Sequence, residues 1–230
     1  MKKVFLGIGH GGSDSGAIGS GLKEKDLNLK QGLFCKKHLE RHNIEVRLSR
    51  YKDEDDPLSE EIREVNDFMP DFAIDLHTNS GGGYGFEVFH SNILSSKGIE
   101  LAENINNEIK LGGYESRGLK TKVDSSGRDY FGFIRETVCP AVITEMAFID
   151  NKNDISNFDE DHEIEEYCIC LVKGILKTLD IPFKYVGTNF EDSEGSLYRV
   201  VCGAYKSRVN AIKQQERLQA LGISSFITRS

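Results

Sequence analysis

Two histidines and two glutamates stand where an α/β chain can place chemistry. His10 closes a short apolar run, Val4-Phe5-Leu6-Gly7-Ile8, and His77 closes another, Phe72-Ala73-Ile74-Asp75-Leu76. Glu24 opens an amphipathic stretch just past a glycine-rich loop, Gly11 to Gly21, and the apolar run Ala141-Val142-Ile143-Thr144 delivers Glu145. The carboxyl ends of strands are the edge at which open α/β sheets bind ligands and metals. Two His and one Glu as ligands, with a further Glu as base, make a catalytic zinc site with one coordination position left for water. Each residue alone also has a plain reading. A histidine after a strand is commonly a loop or core residue, and a glutamate at a helix start favours the positive end of the helix dipole. Glu145 is harder to explain in that way, because an unpaired carboxylate inside an apolar strand costs several kcal/mol. Desolvation raises its pKa and a nearby cation lowers it, so the net shift is not legible in sequence.

The elements that must position these residues follow from periodicity. Residues 3–8 read as a strand, and residues 24–42 carry Leu27, Leu33, Phe34 and Leu39 at near-helical spacing. Ile44 to Leu48 alternates as a second strand, and Lys52 to Asp56 reads as a solvated polar loop. A helix follows Pro57 through Leu58, Ile62, Val65 and Met69, stopped by Pro70. Residues 72–76 and 86–89 read as strands. Ile99, Ala102, Ile105 and Ile109 mark a helix ended by Gly112-Gly113. Residues 114–132 read as an exposed loop, 141–144 as a strand, and His162 to Leu179 as a helix. Strands alternating with helices predict a three-layer α/β fold: a mostly parallel twisted sheet with helices on both faces.

The charged fraction is 29% and the formal net charge −8, with no basic stripe, which argues against a nucleic-acid partner. Nothing approaches the ~20 consecutive apolar residues of a membrane helix, so no membrane role is expected. Met1-Lys2-Lys3-Val4 starts like a signal peptide, but glycines and His10 interrupt it at once. The expectation is synthesis in the cytoplasm. The five cysteines (Cys35, Cys139, Cys168, Cys170, Cys202) are odd in number and sit in apolar periodic runs, which indicates reduced buried thiols. Cys168 and Cys170 form a C-x-C pair, read as core packing, since helix positions two apart face different ways. His38 and His42 have a metal-pair spacing but only Lys, Glu and Arg around them, and read as a solvated helix face. His162 reads as surface near a helix start, and His90, after a strand, as a weaker candidate for the cleft.

Three motifs carry a resemblance. His10-Gly11-Gly12-Ser13-Asp14-Ser15-Gly16-Ala17 with Leu22-Lys23-Glu24-Lys25-Asp26-Leu27-Asn28-Leu29 resembles the opening of zinc-dependent N-acetylmuramoyl-L-alanine amidases (amidase type 3). So do Leu76-His77-Thr78-Asn79 with Gly85-Phe86-Glu87-Val88, and Ile134-Arg135-Glu136-Thr137, Pro140-Ala141-Val142 and Glu145 to Asp154. The resemblance spans roughly residues 1–180, in order. It implies one Zn2+ per chain held by His10, Glu24 and His77, with Glu145 as catalytic base, and it places Asn79 and Arg135 as substrate contacts. It implies hydrolysis of the bond between the lactyl group of N-acetylmuramic acid and L-alanine in peptidoglycan, as in a phage endolysin or a bacterial autolysin acting on the wall after release. The alternatives are a zinc peptidase or amidohydrolase acting on soluble peptides, and a wall-binding protein with dispensable catalysis. The chain departs from the family at Gly7-Ile8-Gly9, where Asp-Pro commonly precedes the glycine, and at Met146-Ala147 after the catalytic Glu.

Residues 181–196 lose periodicity and read as a linker between a catalytic domain, 1–180, and a unit at 197–230. In that unit the pattern predicts a strand Tyr198–Ala204, a helix near Arg208–Leu221 and a strand Ile223–Thr228. Leu197-Tyr198-Arg199-Val200-Val201-Cys202-Gly203-Ala204-Tyr205, with Ala211-Ile212 and Leu218 through Ile223 at helical spacing, resembles half of a SPOR (sporulation-related) repeat, a module that binds peptidoglycan glycan strands. So small a piece buries too little apolar surface to stand alone, and a homodimer through 197–230 is the expected way of covering it.

Overall fold

The structure, a computed structural model, describes residues 1–93, 96–184, 203, 205, 207–223 and 225–227. Strand β1 (Lys3–Ile8) is followed by the short hairpin β2 (Ile18–Gly19) and β3 (Leu22–Lys23), helix α1 (Glu24–Glu40) and β4 (Glu45–Leu48). Helix α2 (Leu58–Phe68), β5 (Phe72–Asn79), β6 (Phe86–His90), α3 (Ser96–Leu111) and β7 (Ser116–Lys120) come next. The order closes with α4 (Gly132–Glu136), β8 (Ala141–Phe148), α5 (Lys152–Ile155), α6 (Asp161–Thr178) and α7 (Arg208–Ala220).

Six strands form one sheet in the order β4-β1-β5-β8-β6-β7. Every pairing is parallel except β6 with β8, which is antiparallel. That inversion has a functional consequence. It brings the start of β6 to the edge where β1, β5 and β8 end. Cross-strand register puts His77 beside Glu145, and Glu145 beside Glu87, in one row.

Helices α1, α3 and α6 cover one face through Leu27, Cys35, Leu39, Leu101, Ile105, Tyr167, Leu171 and Ile175, all buried. Helices α2 and α4 cover the other through Val65, Phe68, Phe133 and Ile134, packed on Phe5, Ala73 and Ile143. Each fully buried aliphatic or aromatic side chain contributes roughly 1.5–3 kcal/mol. Local signals set the helix ends. Glu160 and Glu163 close a reciprocal capping box at the start of α6, and Met69 ends α2 in the left-handed region, just before Pro70.

The structure corrects several expectations. Residues 114–132 are not simply an exposed loop. Ser116–Lys120 pairs with β6 as the edge strand β7, because the free edge of β6 offers backbone partners that an unpatterned segment can take. Strands β5 and β8 run on to Asn79 and Phe148, so His77 and Glu145 lie within strands and not at their ends. His38 and His42 are buried: α6 packs over that face, His38 Nε2 lies 2.8 Å from Glu165 Oε1, and His42 Nδ1 donates to the His38 carbonyl. The Lys52–Asp56 loop is a brace and not only solvated surface. Asp53 accepts from Gly12 N and Lys25 Nζ, and Asp55 accepts from Ser13 N and Oγ, holding the glycine loop. Cys168 and Cys170 are both buried free thiols, as are Cys35 and, in part, Cys139.

Two units can be distinguished, Met1–Lys184 and Tyr185–Ser230. Residues 181–184, expected in the linker, belong to the first: Ile181 and Phe183 pack against its core, and Lys184 N donates to His42 Nε2. In the second unit α7 matches the expected helix and buries none of its residues. The expected strand Tyr198–Ala204 lies outside the described residues apart from Gly203, and residues 223 and 225–227 form no strand.

Candidate metal centre and active site

The glycine loop after β1 turns the chain back over the sheet edge. His10 sits in the left-handed region at φ +66°, a conformation that costs a non-glycine residue about 1–3 kcal/mol and persists where neighbours dictate it. Its ring is fixed by Asp14, whose Oδ2 lies 2.8 Å from Nδ1. Two glycines make room. A Cβ on Gly9 would strike the His77 ring, and one on Gly16, already at φ +61°, would lie 2.6 Å from the His10 ring and 2.7 Å from Glu24 Oε2. The bend at Gly16 also lets Ala17 N donate to Glu24 Oε2 at 2.9 Å.

His10, Glu24 and His77 each offer a ligand atom, and the three atoms lie within 4.8 Å of one another. His10 Nε2 is 3.3 Å from Glu24 Oε2, and His77 Nδ1 is 3.0 Å from Glu24 Oε1. Donors about 2.0–2.1 Å from a common tetrahedral ion stand ~3.3 Å apart, so the set fits zinc. The outer nitrogens are engaged too: His10 Nδ1 by Asp14, and His77 Nε2 by Asp75 Oδ2 at 3.2 Å. These contacts favour the tautomers that leave His10 Nε2 and His77 Nδ1, both facing Glu24, free to hold an ion. Thr78 N and Asn28 Nδ2 also donate to Glu24 Oε1, at 3.1 and 3.5 Å.

The charges agree with this geometry. Burial opposes ionisation of Glu24, but hydrogen bonds from His10 and His77 outweigh it and hold the carboxyl well below its ordinary value. Burial also opposes protonation of His77, yet Asp75 and Glu24 raise it well above the ordinary imidazole value. Glu145 has no such support. Burial pushes its pKa up to about 7, with His77 pulling the other way, and its Oε2 is buried without a hydrogen-bond partner. Glu145 thus presents an open acceptor between His77 and Glu87.

Without metal, the folded chain therefore holds protons that the unfolded chain releases: on Glu145 between pH 4.5 and about 7, and on His77 and His10 above 6.5. Groups raised in the folded state lose their stabilising proton as pH rises through that window. A bound cation removes this competition. The zinc-induced rise in thermal midpoint is therefore expected to grow from pH 5 to pH 8, as read by scanning calorimetry of chelated and zinc-loaded protein. A shift that is flat or shrinks with pH would count against the site. His38, lowered by burial, titrates in both forms and cancels in the difference.

Asn79 and Arg135 are placed differently. Asn79 ends β5 two residues past His77, opposite Phe148, and donates to Glu87 Oε2 at 3.0 Å. Arg135 donates to the carbonyls of Asp129 and Tyr130 and pairs with Glu136, tying the preceding loop to α4. It stands outside the metal cluster. His90 ends β6, with Nδ1 donating to the Ser91 carbonyl, and is also outside the cluster.

Sequence reasoning missed Asp75, Glu61 and Arg50. Asp75 Oδ1 and Glu61 Oε1, both buried without hydrogen bonds, fill the space a Cβ on Gly7 would occupy. Burial, reinforced by Asp75, pushes Glu61 well above the carboxylate range. This accounts physically for Gly7, where the family pattern carries Asp. The signal for Asp75 was available: it is a carboxylate in an apolar run, as Glu145 is. Arg50, also buried, donates to the carbonyls of Ile8 and Lys25, clamping the first strand to the first helix below the site.

Comparison with known proteins agrees with this geometry. The sporulation-specific N-acetylmuramoyl-L-alanine amidase of Bacillus subtilis is 32% identical over 230 residues, covering 99% of this chain and 84% of that protein. The endolysin of Bacillus phage SPP1 is 34% identical over 195 residues, 81% of this chain and 69% of that one. The catalytic domain of CwlV, an N-acetylmuramoyl-L-alanine amidase from Bacillus (Paenibacillus) polymyxa, superposes with a TM-score of 0.71 at 26% identity, over 79% of this chain and 100% of that domain. Residues 175–229 match the SPOR domain family. Residues 4–177, which hold His10, Glu24, His77 and Glu145, match the family described as N-acetylmuramoyl-L-alanine amidase, and the chain belongs to that family.

Proposed function

We propose that the protein is a zinc-dependent peptidoglycan hydrolase that cleaves the amide between the lactyl group of N-acetylmuramic acid and L-alanine of the stem peptide. The observation that carries this is the convergence of His10, Glu24 and His77 with the open carboxylate of Glu145 in the adjacent strand. When bound, zinc supplies a Lewis acid and lowers the pKa of water toward ~7. Glu145 takes the proton from the attacking water and returns it to the departing alanine nitrogen. His10 and His77 orient the site through their contacts to Asp14 and Asp75. Asn79 contributes by holding Glu87 beside Glu145.

The biological setting supported by the relatives is a phage endolysin or a bacterial autolysin acting on the wall after release. Among the described residues no helix is long and apolar enough to cross a membrane. Digestion of purified walls, with and without chelator, followed by mass spectrometry of the products tests the reaction. New L-alanine amino termini and peptide-free muramic acid, both lost on chelation, are expected. Cuts elsewhere in the stem peptide would establish a peptidase instead.

For the C-terminal unit, glycan binding and self-association are proposed together. Val209, Leu221, Ile223 and Phe226 are exposed, and α7 buries nothing within its own unit. A second copy of the unit would cover these residues. Light scattering is expected to show a dimer for the full chain and a monomer for residues 1–184. The fragment should still cleave walls but be retained on them less. A monomeric full chain with no advantage in retention would rule out the pairing.

A further inference from the structure

The row His77–Glu145–Glu87 continues one strand further, to Gly118 on β7, and Arg117 stands beside it. Arg117 Nε donates to Glu87 Oε1 at 2.5 Å, and the guanidinium stacks 5.4 Å from the Phe148 ring centre. Glu87 is buried, whereas the Arg117 side chain is 48% exposed, and among the described residues its Nη1 and Nη2 make no hydrogen bond. Lys120 brings a second cation within 3.9 Å of the same Glu87 oxygen. Two cations thus converge on one buried carboxylate at the edge of a chain of net charge −8. Glu87 with Phe148 holds the guanidinium with its outer edge open.

We propose that Arg117, supported by Lys120, is the subsite for a free carboxylate on the stem-peptide residue that follows L-alanine. This rests on the amidase reading. The spans agree. Three strand spacings separate His77 from the β7 position opposite Glu87, roughly 14 Å. An extended peptide covers about 7 Å from the scissile carbonyl to the second residue, and an extended arginine side chain reaches across the remainder. The open Nη1–Nη2 edge is the planar fork that takes a carboxylate in bidentate fashion. Glu87 fixes Nε and so aims that edge outward. The free α-carboxylate of a γ-linked D-glutamate is the group so placed. Its α-amide, D-isoglutamine, offers no negative charge to pair.

The test uses the zinc-loaded full chain and two muropeptides identical except for that carboxylate or its amide. Wild type is expected to prefer the acid by about 10–100-fold in kcat/KM, the range for a charge-assisted contact. Arg117→Gln is expected to bring the acid-to-amide ratio toward one, and Arg117→Lys to keep part of the preference. A wild type indifferent to amidation overturns the proposal. So does an Arg117→Gln that slows both substrates in equal proportion, since a residue that only props Glu87 would do that. Cleavage of neither substrate at the lactyl amide would overturn the amidase reading itself, a result distinct from lost discrimination.

Discussion

Glu145→Gln is expected to bind zinc with wild-type stoichiometry and to lose wall-lytic activity by about 10²–10⁴-fold, the usual contribution of a general acid–base group. The substitution keeps shape and one acceptor but cannot carry the proton. Glu145 is not one of the three clustered ligands, so metal content should not move. Its neighbours are His77 on one side and Glu87 on the other, and its Oε2 has no hydrogen bond to lose. The fold should therefore tolerate the change. Removing a buried carboxyl whose pKa burial has pushed to about 7 relieves a desolvation cost in the metal-free protein, so its thermal midpoint near pH 8 is expected to rise. Turbidity loss of purified walls, metal analysis and calorimetry read the three effects. A folded variant with near-normal lysis would remove Glu145 from the chemistry.

That carboxylate was legible in the sequence because it broke an apolar strand, and His10, Glu24 and His77 because each follows a recognisable change of periodicity. The alternating helices and strands gave the α/β class for the same reason. What was not legible depends on contacts between distant segments. Asp75 reads as an interruption until β5 is laid beside β1 and α2, where it meets Glu61 and the His77 ring. Asp53 and Asp55 read as solvated charge, yet their partners Gly12, Ser13 and Lys25 lie on another loop and another helix. His38 and His42 lie among charged residues along the chain, and only the packing of α6 buries them. Ser116–Lys120 has no strand pattern, and becomes β7 because β6 has an edge to pair. The antiparallel insertion of β6, which brings Glu87 to the site, leaves no local mark at all. Periodicity reports one element against one core; it carries no information on strand order.

His77→Ala is expected to weaken zinc binding by more than the about 10–100-fold typical of losing a supporting hydrogen bond, because it removes one of the three proposed ligands. The ring also packs against Gly9 and stands edge-on to His10 at 5.1 Å between centres, so its loss opens the cluster on the side facing Glu145. Glu24 loses one of the hydrogen bonds that hold it ionised, and its pKa should climb. Asp75→Asn grades the same effect. Asparagine can still accept from His77 Nε2 but carries no charge to raise the basicity of the ring, so the supporting-group range of 10–100-fold is expected there. Competition with a chromophoric chelator measures both affinities, and circular dichroism establishes that both variants are folded. The order wild type, Asp75→Asn, His77→Ala is the expected result. If His77→Ala held one zinc at wild-type affinity, His77 would not be a ligand. If Asp75→Asn alone matched wild type, Asp75 would serve only to fill the space at Gly7.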